Sequence, residues 1–537
     1  MNMNLLADRW LRIQRQDGNE EKVAPYQLTT GYGNNPIIDV WAPRPDLRNA
    51  LYQMLIGIVQ VAAMPETEED WIDQWEEPPD ESWLKEEFLH FQGCFEIDSA
   101  GPAFMQDFSA LNVPGQSLDN LFIDLPANGH FHKKNSPIRI SPYWAAVSLY
   151  ALQTFAPAGG RGHRVGLRGG GPLSTLVIPN KGSRSATLWE KLWLNVLSKE
   201  EADSLSGDIR KSEPGAIFPW MAPTRTSEKS GSETLPGHGH PFQMYFGMPR
   251  RIRFEFHDVD EANGVCALSG EPVSRLTDSY KTRHAGINYA GPWLHPLNAY
   301  IRDPKNPAEP PLSVKGKQFP GGVGYRHWLG LALNKENQIP AKVVQLLNQS
   351  ECRREIVARR GARIWACGYD MDNMKARCWH ESQLPVYPLP PKESISIRDR
   401  VECLIAAASE AAQNLRTCVK AAWFRRPKEV KGDMSFLDNA FWQETEGPFY
   451  DGLSRLVGDV ADTKQVGAVA RDWERTIRRK AEDLFDRWAL AEQEDGLDMK
   501  RIVKARNELR KWLAHGKGMK ELKNMQTYGE QEEVGHE

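Results

Sequence analysis

The chain is 537 residues long and poor in cysteine. It has seven, Cys94, Cys266, Cys352, Cys367, Cys378, Cys403 and Cys418, an odd number with no CxxC pair. That excludes a disulfide framework and reads as reduced thiols. No apolar run approaches the roughly 18–20 residues of a membrane span. The opening MNMNLLADRW has no basic segment followed by an apolar core, so it does not read as a secretory signal. The expectation is a soluble, cytoplasmic protein without membrane contact. Charge of one sign is also missing: the net charge is −4, so any nucleic-acid role must rest on local patches and not on a global field.

What is present is glycine in one place. Phe155 to Pro172 reads FAPAGGRGHRVGLRGGGP, with seven glycines interleaved by Arg161, His163, Arg164 and Arg168. Glycine lets main chain approach a partner closely, and arginine offers a fixed fork of donors to phosphate or base edges. Two cofactor readings fail on spacing. A phosphate-binding P-loop needs Gly-Lys-Ser/Thr, which does not occur. The dinucleotide fingerprint needs G-x-G-x-x-G after a strand; here Gly160, Gly162 and Gly166 are one residue out of step, after a helical segment. No cofactor is expected. The remaining readings are a loop that approaches a polyanion and an ordinary charged surface connection.

Along the chain, Trp10 to Gln14 reads as a strand, followed by a helix with Leu51, Leu55, Ile58, Val59 and Ala62 on one face and Asp46 as its cap. Glu66 to Glu87 is acidic with Trp71, Trp75 and Trp83 interleaved, which suits a solvated helix face. Residues 125–137 form a loop with a basic-aromatic cluster, and a helix over Pro142–Thr154 leads into the glycine loop. Residues 245–257 alternate like a strand bearing Arg250, Arg251 and Arg253. After a proline-rich linker at 385–394, four amphipathic patterns predict an up-and-down four-helix bundle over 395–520, the second interrupted at Gly447-Pro448. A polar tail at 521–537 is expected to fray. The fold class is therefore α+β: a large mixed domain over 1–384, then an all-α bundle. Basic residues line the last two helices, from Arg478, Arg479 and Lys480 to Lys504, Arg506, Arg510 and Lys511.

Metal-ligand patterns are thin. His130-x-His132 and His238-x-His240 each offer two imidazoles outside any H-E-x-x-H helix, and Cys266-Ala267-Leu268-Ser269 lacks the second thiol of a zinc knuckle. No serine nucleophile elbow or paired-carboxylate motif appears. No metal site and no catalytic residue is assigned. The rival readings kept open are a metal-dependent nuclease using His238 and His240, and a purely structural scaffold.

Short motifs in order carry a family resemblance. Asn4-Leu5-Leu6 with Asp8 and Trp10, Phe104-Met105-Gln106, Gly159-Gly160-x-Gly162, Gly166-Leu167-Arg168-Gly169-Gly170-x-Pro172, Gly247-Met248-Pro249-Arg250-Arg251, Trp293-x-His295-Pro296 and Gly368-Tyr369 precede the helical region. Together they resemble the large-subunit (CasA) family of the type I-E CRISPR Cascade complex. The resemblance implies a non-catalytic subunit of an antiviral ribonucleoprotein. Its partners would be guide RNA, double-stranded target DNA, the backbone and small subunits, and the helicase-nuclease of the system. Such a subunit would read the protospacer-adjacent motif (PAM) in duplex DNA and promote strand opening into an R-loop, while base pairing reads the sequence.

Residue by residue, the resemblance places Gly159, Gly160, Arg161 and Gly162 at the PAM. Arg161 stands where the family presents a bare glycine, and an arginine in a minor groove reads width and potential. A basic finger falls at Lys281, Arg283 or His284. A wedge that parts the first base pair falls at Asp372, Asn373, Met374 and Lys375, with Met374 able to act as an apolar wedge. His130, Phe131, His132 and Lys133 would contact the guide RNA or a neighbouring subunit, the aromatic ring stacking on an unpaired base.

Overall fold

The computed structural model describes residues 3–125, 138–157, 159–160, 162–180, 185–260, 264–335, 337–429, 431–490 and 498–531. The chain forms two compact units, residues 1–320 with 337–383, and residues 321–336 with 384–537.

The first unit opens with β1 (Leu11–Arg15), β2 (Glu20–Val23) and β3 (Ile37–Val40), an antiparallel sheet in the order β2-β1-β3. Leu11 and Ile13 are buried while Gln14 is exposed, the two-residue period of a half-covered strand. The Asn4-Leu5-Leu6-x-Asp8-x-Trp10 motif closes the turn before it. Asn4 Oδ1 accepts from the Leu6 and Ala7 amides, Asp8 Oδ2 accepts from the Asn4 amide and the Tyr143 hydroxyl, and Trp10 stacks on Tyr143.

Helix α1 (Pro45–Ala62) is buried almost all round. Among its interior polar groups, Gln60 accepts from the Leu197 amide at 2.7 Å and donates to the Leu197 carbonyl at 2.9 Å. Asp46 is not the cap. The helix starts at Pro45 with Arg44 at the N-cap, and the Asp46 carboxylate inside the first turn binds Arg44 and the Tyr369 hydroxyl. Helices α2 (Glu68–Glu76) and α3 (Glu81–His90) hold the acidic segment, capped by Thr67 and Asp80. Trp71 faces inward, where the Arg353 guanidinium lies 4.0 Å above its ring.

After β4 (Gln116–Ser117), Ser141 caps α4 (Pro142–Phe155), and Pro142 suits the first helical turn. The glycine loop leads to β5 (Ser174–Pro179), α5 (Leu188–Trp193) and the short helices α6 (Lys199–Ala202) and α7 (Pro214–Ile217). Then follow β6 (Arg251–Phe254), β7 (His257–Asp258), β8 (Arg275–Leu276) and β9 (Ser279–Arg283). They form a β4-β9-β6 sheet and a β7-β8 pair. The strand expected over 245–257 is therefore much shorter. Residues Pro241–Phe246 form a 3-10 turn, and Pro249, which has no N–H to give to a ladder, precedes β6.

Strands β10 (Tyr300–Ile301) and β11 (Leu312–Ser313) come before α8 (Trp328–Ala332), which belongs to the second unit, and β12 (Gln338–Ile339) completes a β11-β10-β12 sheet. Helices α9 (Lys342–Gln349) and α10 (Glu351–Arg360) lead into a long hairpin of β13 (Ala362–Asp372) and β14 (Lys375–Val386). β13 pairs antiparallel with β5, Ala362 opposite Pro179 and Cys367 opposite Ser174. The strand leaving the glycine loop thus lies beside the hairpin.

The second unit is helical: α11 (Pro391–Trp423), α12 (Ser435–Gly458), α13 (Thr463–Ala489), α14 (Met499–His515) and α15 (Lys517–Gln531). Cross-helix bonds give the up-down-up-down order. Arg416 meets Asp438, Glu444 meets Lys480, Trp473 Nε1 donates to the Leu404 carbonyl, and Arg506 meets Asp486. Three details differ from the sequence reading. β14 reaches Val386 and α11 begins at Pro391, so most of the 385–394 segment is regular structure, proline being at home in a first helical turn. α12 runs unbroken through Pro448, whose neighbour Phe449 is buried against Tyr325 and Trp473. Of the segment expected to fray, 521–537, the described residues 521–531 belong to α15. Met519, Leu522 and Met525 are buried, and Glu410 accepts from the Lys517 and Gly518 amides at 3.0 and 2.7 Å, capping that helix. α14 and α15 together form the fourth member of the bundle.

Candidate nucleic-acid interface

The glycine loop is fixed at three points. At its start, Gln153 on α4 accepts from the Arg250 amide and donates to the Arg250 carbonyl, while Arg250 Nη2 donates to the Pro157 carbonyl. In its middle, the Ala285 amide just past β9 donates to the Gly162 carbonyl at 2.7 Å. At its end, the Gly171 amide donates to the Phe155 carbonyl, and Phe155 packs edge-on against Tyr369 and Trp379 of the hairpin.

Two glycines are required by this geometry. A Cβ on Gly159 would lie 2.6 Å from Arg250 Nη1 and 2.8 Å from the His163 Cβ. Gly162 has φ +82° and approaches the His284 Cβ so closely that its own Cβ would sit 2.8 Å away.

Two arginines, Arg250 against the loop and Arg168 within it, are electrostatically unusual. Arg250 is half-buried and, among the described residues, forms no ion pair; desolvation pushes its guanidinium down to about 10. Arg168 is fully buried, donates to Ser174 Oγ at 2.9 Å and Gln53 Oε1 at 2.7 Å, and is likewise pushed down to about 10 by desolvation. Among the described residues neither cation has a carboxylate to neutralise it. The His163 imidazole is held below its ordinary value by burial, then by Arg250 and His284. The Arg250 guanidinium packs against Gly159 and puts positive charge beside the bare main chain, whereas that of Arg168 is turned to Ser174 and Gln53 in the core. Arg164 donates to Ser227 Oγ at 2.9 Å and is turned to its own fold.

Strands β6 and β9 place like charges opposite one another, Arg251 across from Arg283 and Arg253 across from Lys281. Local partners offset this. Arg251 pairs with the fully buried Asp107 at 2.6 Å, Arg253 donates to the carbonyls of Asp107 and Ser99, and Lys281 is in contact with Glu255. Arg283 is exposed and, among the described residues, reaches only the Asn112 carbonyl at 3.3 Å. His284 is exposed against Gly162. Of the three candidates for the basic finger, Lys281 is engaged at home, while Arg283 and His284 stand next to the loop.

Asp372, Asn373, Met374 and Lys375 form the tip of the β13–β14 hairpin. Asn373 has φ +54°, a left-handed turn that Asn tolerates better than most residues. Met374 is 56% exposed, a large apolar side chain presented to solvent. Glycines 159, 160 and 162, the end of β9 and the hairpin strands thus belong to one connected framework. Arg161 and the cluster His130, Phe131, His132 and Lys133 lie outside the described residues.

The His238–His240 nuclease reading finds no support in geometry. Nδ1 of His238 accepts from the Leu235 amide and Nδ1 of His240 from the Phe242 amide, so both rings cap turns. No trio of metal-ligating groups among the described residues includes either. Cys266 accepts from the Ser141 amide and is buried without a second thiol. His295 of the Trp293-x-His295-Pro296 motif is equally structural, accepting from the Leu297 amide in the core. The basic face of the bundle is largely spent on itself, through Arg478–Glu474, Lys480–Glu444, Arg506–Asp486 and Arg510–Glu482. Among the described residues no helix is long and apolar enough to cross a membrane. The sequence reading missed Arg250 and Arg168 as supports of the loop. Both stand inside motifs it quoted, but only burial distinguishes them from solvent-facing arginines.

Solved structures share this fold. Cse1 from Thermobifida fusca matches with a TM-score of 0.71 at 16% identity, covering 98% of each chain. Cse1 from Acidimicrobium ferrooxidans matches with a TM-score of 0.69 at 16% identity, covering 97% of this chain and 99% of that one. A chain of a structure described as a CRISPR RNA-guided surveillance complex matches with a TM-score of 0.63 at 14% identity, covering 96% of this chain and all of its own. The sequence profile of CRISPR-associated protein Cse1 spans residues 4–484, and the chain belongs to that family.

Proposed function

We propose that the chain is the non-catalytic large subunit of a CRISPR RNA-guided surveillance complex, and that its glycine loop inspects duplex DNA for the PAM. The observation that carries this reading is the half-buried Arg250 guanidinium, without an ion pair among the described residues, held against a main chain kept bare by Gly159 and Gly162. Family membership and the shared fold with a chain of such a complex support it. In this proposal Gly159, Gly160 and Gly162 bring the loop into the minor groove and Arg161 senses its width and potential. Arg283, with Lys281 once released from Glu255, holds phosphates, while Asn373 and Met374, flanked by Asp372 and Lys375, part the first base pair.

The remaining partners are assigned on the same footing. His130, Phe131, His132 and Lys133 contact guide RNA or an adjoining backbone subunit. The bundle meets the small subunits or the displaced strand and recruits the helicase-nuclease. The protein acts in the cytoplasm, where invading DNA is met, and uses no cofactor for these steps.

A reconstituted complex tests it. Arg161→Ala should weaken binding to PAM-bearing duplex, and Asn373→Ala should slow strand opening. Unchanged binding and opening in both variants would sink the assignment, and loss of assembly without loss of DNA affinity would indicate a scaffold.

A further inference from the structure

Away from the glycine loop, one cluster in the hairpin has a composition that DNA inspection does not use. Asp370 on β13 and Cys378 and His380 on β14 bring a carboxylate oxygen, a thiol sulfur and an imidazole nitrogen within 4.8 Å of one another. Cys378 Sγ lies 3.5 Å from His380 Nε2, and that nitrogen lies 3.9 Å from Asp370 Oδ2. We infer that these three side chains form a site for a thiophilic divalent cation, Zn²⁺ above all, clamping the two hairpin strands together.

The geometry and the donor set both support this. Zinc bonds of about 2.3 Å to sulfur and about 2.0–2.2 Å to nitrogen or oxygen, at tetrahedral angles, put neighbouring donors about 3.3–3.6 Å apart. The sulfur–nitrogen edge already has that length, and the nitrogen–oxygen edge must shorten by a few tenths of an ångström. Cys378 and His380 are two residues apart on one strand and so project to the same face. The Asp370 and His380 side chains are only 8% and 15% exposed, whereas Cys378 is exposed, leaving an outward position for a water ligand. Thiolate with imidazole selects Zn²⁺ or Co²⁺ over Mg²⁺ or Ca²⁺.

Arg377 completes the surroundings. It now grips both Asp370 oxygens, Nη2 to Oδ1 at 2.7 Å and Nε to Oδ2 at 3.0 Å. The cation takes Oδ2 while the shorter bond to Oδ1 remains, an outer partner that orients the ligand. Thiolate and carboxylate neutralise the divalent charge, so Arg377 faces no net positive centre. On binding, the Cys378 S–H bond is broken, sulfur keeps the electron pair and donates it to the metal, and one proton leaves to solvent.

The test uses the full chain, stripped with chelator and titrated with CoCl₂, then back-titrated with ZnCl₂. One equivalent of Co²⁺ should bind with a thiolate-to-metal charge-transfer band, and Zn²⁺ but not excess Mg²⁺ should remove it. Cys378→Ser and His380→Ala should each abolish the band, Asp370→Asn should weaken binding at least tenfold, and Cys352→Ser should change nothing. Zn²⁺ should also slow amide exchange in the strands flanking Asn373. Absence of the band at stoichiometric Co²⁺, or its persistence in Cys378→Ser with circular dichroism unchanged, would overturn the site. Because none of these readouts involves DNA, their failure leaves the PAM reading unaffected.

Discussion

Gln153 and Arg250 exchange two hydrogen bonds. The Gln153 side-chain nitrogen donates to the Arg250 carbonyl at 3.0 Å, and the Arg250 amide donates to Gln153 Oε1 at 2.8 Å. One amide side chain thus completes the backbone of the residue that supports the glycine loop, and joins the end of α4 to the start of β6. Gln153→Leu keeps the bulk and removes both bonds, leaving two backbone groups unpaired at a cost of about 2–3 kcal/mol. Urea unfolding should register that loss, and amide exchange at Arg250 should quicken. Unchanged exchange there would show that the clamp does not hold the loop.

Gly162 combines φ +82° with its close approach to His284. Gly162→Ala should destabilise the loop by about 1–2 kcal/mol from backbone conformation alone. A double variant with His284→Gly, which removes the Cβ that Gly162→Ala would meet, should recover the steric part and not the backbone part. The measurement is thermal unfolding beside affinity for PAM-bearing duplex, compared with His284→Gly alone, and full rescue by His284→Gly would contradict the backbone argument.

Arg283 and Lys281 differ in what already occupies them. Lys281 is paired with Glu255, while Arg283 donates to the Asn112 carbonyl. Arg283→Ala should weaken duplex binding by the complex and reduce the salt slope by about one. Lys281→Ala should have a smaller effect, and Glu255→Gln should strengthen binding by freeing the lysine. Mobility shifts at two salt concentrations read both; the reverse ranking would reassign the finger.

His240 sets a pH limit. Burial holds its imidazole at about 4, against 6.5 when unperturbed, and the neutral ring accepts from the Phe242 amide. Between those values the unfolded chain binds a proton that the folded chain refuses. The stability from this ring is therefore complete above pH 6.5 and lost as the pH falls towards 4. His240→Asn keeps an acceptor for the turn and removes the titration. Its urea midpoint should fall less steeply than that of the unaltered protein across this window; parallel curves would remove His240 from the account.

Local pattern determined a good deal. The 3.6-residue spacing of Val401, Leu404, Ala408, Ala412, Leu415 and Val419 foretells α11, because a stripe of that period can be buried only as a helix. The order of motifs was enough to indicate the family, since each records a local device: Asn4 closing its turn, Gln106 bridging Ile97 and Phe254, and Gly162 meeting β9. Composition also excluded a disulfide scaffold and the two named nucleotide-binding loops.

The tertiary structure alone decided which charges are available. Arg250, Arg251, Arg253 and Lys281 read alike as cations in sequence, yet two meet carboxylates, one meets carbonyls, and Arg250 is half-buried with no acid among the described residues. It also decided that Asp370, Cys378 and His380 converge, and that Lys517–Gln531 form a helix capped by Glu410, with Met519, Leu522 and Met525 buried. The physical reason is the same in each case. Periodicity and turn chemistry act over a few residues and are written in the order of the chain. Desolvation and ion pairing depend on which distant segment closes over a side chain, and Asp107 comes to lie against Arg251 only when the sheet is formed.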